Sequence, residues 1–100
     1  MPAYWVARAK VNDPAAYKRY TDLVPAIIGK FGGRVLARGG RFVSLEMPQK
    51  FDRHIVIEFA SLEDAVACHE SPAYQEARKF RLDGVGENEL IIVEGGDATK

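Results

Sequence analysis

The stretch "HESPAYQEARKFR", His69 to Arg81, holds a histidine, a tyrosine and three basic side chains within thirteen residues. Tyr74, Arg78 and Arg81 stand at i, i+4 and i+7, which is one face of a helix. A phenol beside two guanidiniums can grip a carboxylate, because arginine donates two parallel hydrogen bonds to such a group. The plainer account is that tyrosine packs its ring while arginines near a helix C-terminus complement its dipole. Arg78 is assigned to that structural role, and Tyr74 and Arg81 stay as ligand-binding candidates. Arg38 and Arg41 flank Gly39-Gly40. The pair opens no helix, so a phosphate-cradling reading fails, but Arg38 is kept as an anion contact.

A second group is Arg8, His54 and Glu58. An imidazole and a carboxylate shielded from water beside an arginine can shift one another's proton affinity, which is how a general base is poised near neutrality. His54 and Glu58 are therefore the catalytic candidates. The competing account is an ion-pair network that fixes the register of an interface. Cys68 and His69 are neighbours in sequence, but adjacent helical residues point about 100° apart, so they make a poor nucleophile pair. A core cysteine followed by a helix-end histidine is the favoured reading. With two histidines and no H-x-x-x-H or E-x-x-H spacing, neither a metal site nor a haem site is expected, and no cofactor is assigned.

These residues must be positioned by regular elements. "AYWVARAKV" (residues 3–11) reads as a strand, rich in aromatic and β-branched residues at its start. Asp13 then caps a helix with Pro14 at its first position. Tyr17, Tyr20, Val24, Ile27, Ile28 and Phe31 form its apolar stripe; Pro25 predicts a kink or break near Asp22, and Gly32-Gly33 ends it. "RVLARGGRFVSLE" (34–46) is strand-like on both sides of Gly39-Gly40, which is either a hairpin turn or, as favoured here, a bulge in one long strand. "MPQKFD" is a loop and "RHIVIEFA" (53–60) a third strand. Ser61 with Asp64 is a capping-box signature, Ser71-Pro72 starts a second short helix running toward Asp83-Gly84, and "NELIIVEG" (88–95) is the last strand.

The order β-α-β-β-(αα)-β predicts an α+β, ferredoxin-like βαββαβ subunit whose helices cover one face of a four-stranded antiparallel sheet. Alternation puts Trp5, Ala7, Ala9, Ile55, Ile57, Phe59, Ile91 and Val93 on the helix-covered side and Tyr4, Val6, Arg8, His54, Val56, Glu58, Leu90, Ile92 and Glu94 on the other. The second set is too apolar for solvent alone, which predicts a homodimer packed through that sheet face.

"YWVARAKVNDPAAYKRY", "GGRVLARGG", "HIVIEFASLEDAVACHESPAYQEARKFR" and "LIIVEG" together make the chain resemble the DUF1330 family, a domain of unknown function within the dimeric α/β-barrel superfamily. The helix from Ser71-Pro72 through Tyr74 to Arg81 is the most specific piece. The resemblance implies a ferredoxin-like subunit that pairs sheet to sheet, and it implies no reaction; related families include cofactor-independent monooxygenases, lactone isomerases and haem enzymes. One departure is that the family's second strand commonly ends in Glu-Gly, whereas Glu46 is followed here by Met47-Pro48.

Composition bounds the function. One hundred residues, 47% apolar and 28% charged, suit a single domain at 1–96 with a short tail at 97–100. A net charge of zero offers none of the long-range attraction that nucleic acid or an anionic membrane needs. A lone cysteine and no signal-like or spanning apolar run predict a cytoplasmic protein. The expected function is binding or conversion of a small organic, anionic molecule without a tightly bound cofactor. The alternative is a non-catalytic homodimeric module whose polar sheet residues organise its interface.

Overall fold

The computed structural model describes residues 1–46 and 50–97. Strand β1 (Ala3–Val11) is followed by helix α1 (Pro14–Lys30), β2 (Arg34–Arg38), β3 (Arg53–Phe59), α2 (Leu62–Glu70), α3 (Pro72–Arg78), a 3₁₀ turn (Lys79–Arg81) and β4 (Gly86–Glu94). The sheet order is β2-β3-β1-β4, and every neighbouring pair is antiparallel. This is the ferredoxin-like α+β arrangement the element order predicts.

The helix signals act as written. Asp13 accepts from the Ala16 amide at 3.1 Å, and Ser61 accepts from the Asp64 amide at 3.1 Å. Ser71 serves two helices at once: its hydroxyl donates to the Cys68 carbonyl at 2.7 Å, at the end of α2, and accepts from the Tyr74 amide at 3.2 Å, at the start of α3. The chain leaves the 3₁₀ turn through Asp83 and Gly84, both at positive φ. The expected break near Asp22 does not occur. Helix α1 runs unbroken through Pro25, because the missing amide costs one hydrogen bond while Tyr17, Tyr20, Ile27 and Ile28 bury the helix on both sides of it.

Two expectations about the strands are corrected. The bulge is not at Gly39-Gly40: β2 ends at Arg38, Gly39 turns the chain with φ 69°, and residues 41–44 form no strand. The irregularity lies at Leu36, since Val35 pairs with Ile57 but Ala37 pairs with Val56. One extra residue on an edge strand reverses the facing of everything after it. Arg38 consequently pairs with Ile55 and shares the helix-covered face with Val35. The parity of β4 is also opposite to expectation. Trp5 pairs with Ile92 and Ala7 with Leu90, so Leu90 and Ile92 lie under the helices while Ile91 and Val93 stand on the open face. Four consecutive apolar residues carry no alternation to read; pairing with β1 decides the matter. The loop predicted at "MPQKFD" falls partly outside the described residues, as do positions 98–100 of the tail.

The core is formed where α1, α2 and α3 cover the sheet, around Trp5, Tyr17, Tyr20, Ile28, Ile57, Phe59, Cys68 and Tyr74. Trp5 is its hinge point, in ring contact with Phe59, His69 and Tyr74. Where α1 ends, Gly33 lets the backbone pass close to this core: a Cβ there would stand 2.5 Å from Ile28 Cγ2 and 2.9 Å from Phe59 Cε1. Gly33→Ala should therefore lower unfolding stability by roughly 1–3 kcal/mol, the usual range for overpacking. Urea denaturation checks this, and an unchanged midpoint would contradict the packing described.

Candidate anion-binding cleft

Between α1, the 3₁₀ turn and the covered face of the sheet lies a cleft. Its floor is low because β1 places Ala7 between Ile55 and Leu90 in one cross-strand row. A larger side chain there would fill the space. The walls are Trp5, Val24, Ile28, Ile55, Ile57 and Leu90, and the polar groups among them are Tyr20, Thr21, Arg38, Arg53, Tyr74, Arg81 and Asn88. The cleft opens to solvent at its mouth, and its enclosed space is small, about 40 Å³. It is narrow, deep and mostly apolar.

At its inner end the hydroxyls of Tyr20 and Tyr74 are 2.7 Å apart. Arg81 donates through Nη2 to the Tyr74 hydroxyl over a long 3.4 Å, and its guanidinium carbon lies 5.2 Å from the Tyr20 ring centroid. Arg81 is only 7% exposed. Among the described residues no carboxylate forms an ion pair with it, and its Nε has no hydrogen-bond partner. A buried charge of this kind is normally paired. Burial alone would lower the Arg81 pKa, yet the hydrogen bond to Tyr74 and the electrostatic influence of the Tyr74 and Tyr20 phenols outweigh burial and raise it; the group is a fixed cation. Burial, then the adjacent Tyr74, raises the Tyr20 pKa far above the usual phenol range, so Tyr20 is a neutral hydroxyl at any physiological pH.

The structure brings Arg38, Tyr74 and Arg81 to this one cleft, Arg38 by way of the Leu36 bulge. It does not bring His54 and Glu58 together with them or with each other. Both are on the open face of the sheet, four residues apart along β3, about 13 Å at strand rise. Glu58 accepts from Arg34 Nη2 at 3.1 Å. His54 pairs across the strands with Arg8, and its ring stacks at a tilt on Phe42, 4.4 Å between centroids. Arg8 turns instead to Glu89, donating from Nε at 2.7 Å. Arg78, on α3, is half-buried. No group of three or more acidic, histidine or cysteine side chains suited to a metal ion occurs among the described residues.

Sequence reasoning missed Tyr20, Arg53 and Asn88. Tyr20 stood in the apolar stripe, where its hydroxyl was the only hint. Arg53 has the same parity as Ile55 and Ile57, so an arginine on the covered face was readable. Asn88 was not, because the facing of β4 was undetermined.

Residues 2–96 match the family described as a domain of unknown function, DUF1330. The chain belongs to that family. No curated protein matches the chain. Among solved structures it is similar to a protein of unknown function from Rhodopseudomonas palustris, at 20% identity and a TM-score of 0.76, over 96% of this chain and 83% of that one. It is also similar to a dimeric protein of unknown function and ferredoxin-like fold from Bacteroides fragilis, at 12% identity and a TM-score of 0.64, over 94% and 96%. A third is SnoaB, a cofactor-independent oxygenase from Streptomyces nogalater, at 13% identity and a TM-score of 0.63, over 97% and 95%. At these identities the DUF1330 chain shares their fold, and chemistry does not follow from fold.

Behind the cleft sit Cys68 and His69. Cys68 is fully buried, and burial pushes its thiol up to about 11, so it is an inert core group. The His69 ring lies 5.7 Å from that of Trp5 and 5.1 Å from that of Tyr74. Burial first, then the charges of Arg78 and Arg81, lower its pKa. The folded protein thus takes up this proton less readily than the unfolded chain, whose histidine titrates near 6.5. Stability contributed by neutral His69 is complete above that value and falls as pH drops below it toward the folded pKa. NMR titration should place the His69 midpoint below 6.5, and His69→Gln should flatten the loss of stability between about pH 7 and 5. A midpoint above 6.5 would contradict the assignment.

Proposed function

We propose that this DUF1330 protein binds a small organic anion in the cleft, with Arg81 as the charge anchor, Tyr74 and Tyr20 as hydrogen-bonding groups beside it, and Arg38 at the rim. The observation that carries this reading is a buried guanidinium with phenols around it and no carboxylate partner among the described residues. An arginine kept for stability alone would have its charge matched; one kept for binding is matched by the ligand. The apolar walls then hold the ligand's carbon skeleton, the usual build of a small-molecule site. That a cofactor-independent oxygenase is among the chain's structural relatives makes conversion of the bound molecule, without a resident cofactor, a natural extension of this reading.

The open sheet face belongs to a homodimer in this proposal. Tyr4, Val6, Val56, Ile91 and Val93 line it, Ile91 is 61% exposed, and Phe42, against His54, adds to the apolar surface. His54 and Glu58 then serve the interface rather than the reaction: the pairs Arg8–Glu89 and Arg34–Glu58 border the apolar patch and set register. A non-catalytic homodimer is the second reading, and those ion pairs favour it. No helix among the described residues is long and apolar enough to cross a membrane. A single cysteine, buried in the core, is the ground on which we propose a reducing, cytoplasmic setting.

Arg81→Met and Arg81→Lys test the first reading together. Against benzoate or a short aliphatic acid, calorimetry should show loss of binding in Arg81→Met and roughly tenfold weakening in Arg81→Lys, which keeps charge but not the fork. Without ligand, Arg81→Met should be no less stable than the parent, because it removes an unpaired buried charge. Acid binding that survives Arg81→Met, with stability sharply reduced, would sink the binding role and leave a structural one. The dimer is tested separately: sedimentation should give twice the chain mass at micromolar concentration, and Ile91→Asp should give one chain mass.

A further inference from the structure

Residues 41–46, "RFVSLE", have the composition of a strand and no strand to join. Among the described residues, none of their backbone groups is hydrogen-bonded to another backbone group. Val43 is 81% exposed and Leu45 85%, although both residue types belong mostly to cores. The segment starts on the open face of the sheet, where the Phe42 ring rests on that of His54. A second exposed apolar pair, Ile91 and Val93 of β4, stands on the same face. Within one chain neither group covers the other. Apolar surface gathered in this way marks a place where another molecule docks.

Two copies that meet by their open faces, as in the homodimer proposed above, can be turned in two ways. A two-fold axis across the strands lays β2 on β2 and β4 on β4. An axis along the strands lays β2 of one copy over β4 of the other, because these are the opposite edges of the sheet, and it keeps each residue at its own level along the strand. His54, Arg8 and Glu89 form one cross-strand row, so contact with His54 sets Phe42 and its neighbours at the level of Glu89. Charge separates the two arrangements. The charged residues of β4 are Glu87, Glu89 and Glu94, and β4 laid on β4 offers them no cation. The axis along the strands brings Arg41 toward them. Glu89 already holds Arg8 of its own chain, but a carboxylate has lone pairs for a second donor. β4 is also an edge strand, so its outer backbone groups are as unpaired as those of residues 41–46.

We infer that residues 41–46 are an arm that closes over β4 of a second copy of this chain, about a two-fold axis running along the strands. Val43 and Leu45 cover the partner's Ile91, and Arg41 reaches the partner's Glu89. By symmetry each copy gives one arm and receives one. The inference rests on the homodimer reading and adds which segment holds the two copies together and how they are turned.

The first test is sedimentation of the double variant Val43→Asp, Leu45→Asp. Both side chains are exposed in the single chain, so its fold should be kept, which circular dichroism checks. The dimer dissociation constant should rise at least about tenfold, the effect of losing one or two buried aliphatic side chains; an unchanged constant overturns the inference. The second test fixes the axis. Because Cys68 is buried, a thiol reagent reads introduced cysteines. A short bismaleimide should join Leu45→Cys copies to Ile91→Cys copies when the two are mixed, giving two chain masses on a denaturing gel, and should join neither variant to itself. Joining of Leu45→Cys copies to one another, or no joining in the mixture, overturns the arrangement. An unaltered protein of one chain mass removes the homodimer reading as well, whereas a dimer that the arm variant leaves at full affinity removes the arm alone.

Discussion

β1 is hydrogen-bonded on both sides, to β3 and to β4, so its period-two alternation decides which residues of three strands share a face. Of its odd positions, Ala3, Trp5, Ala7 and Ala9 are buried. Trp5 is large enough to hold Phe59, His69 and Tyr74 in ring contact, while the alanines leave the floor low. One strand thus supplies both the densest part of the core and the space beside it. Its even positions face outward, where Val6 extends an apolar surface and Arg8 finds Glu89.

The cleft is a place where burial and polarity conflict. Placing a guanidinium under α1 costs solvation that two phenols do not fully return, since hydroxyls compensate a cation less well than a carboxylate would. Nearby, Arg53 and Asn88 keep polar atoms dry and unpaired. What fails here is polar pairing: three of the four unpaired buried side-chain polar atoms among the described residues belong to residues that line the cleft. Such local failure is what a functional site looks like when the rest of a fold is internally consistent.

Much of the architecture was legible in the residues. Asp13-Pro14, Ser61 and Ser71-Pro72 announce helix starts through their capping chemistry, and β1 announces itself through alternation, so the order of elements follows from local signals. What was not legible depends on pairing between strands. "LIIV" in β4 reads the same in either facing, and only the register against β1 selects Leu90 and Ile92 for the core. The bulge at Leu36 has no glycine to mark it, while Gly39-Gly40, which looks like one, only ends the strand. The candidate residues divide along the same line. Tyr74 and Arg81, on one helical run, were found by spacing; Arg53 and Asn88, on separate strands, come together only in the folded sheet.

The Leu36 bulge carries a consequence for how the cleft can vary among sequences. Without the extra residue, Arg38 would stand opposite His54 and face away from the helices, and the rim would lose its positive charge. β2 is an edge strand and tolerates a length change that a central strand would not. A single codon gained or lost there can therefore exchange a charged rim for a neutral one while the core is untouched. Position-by-position comparison of substitutions would not see that change, because what moves is the frame in which every later residue of the strand is presented.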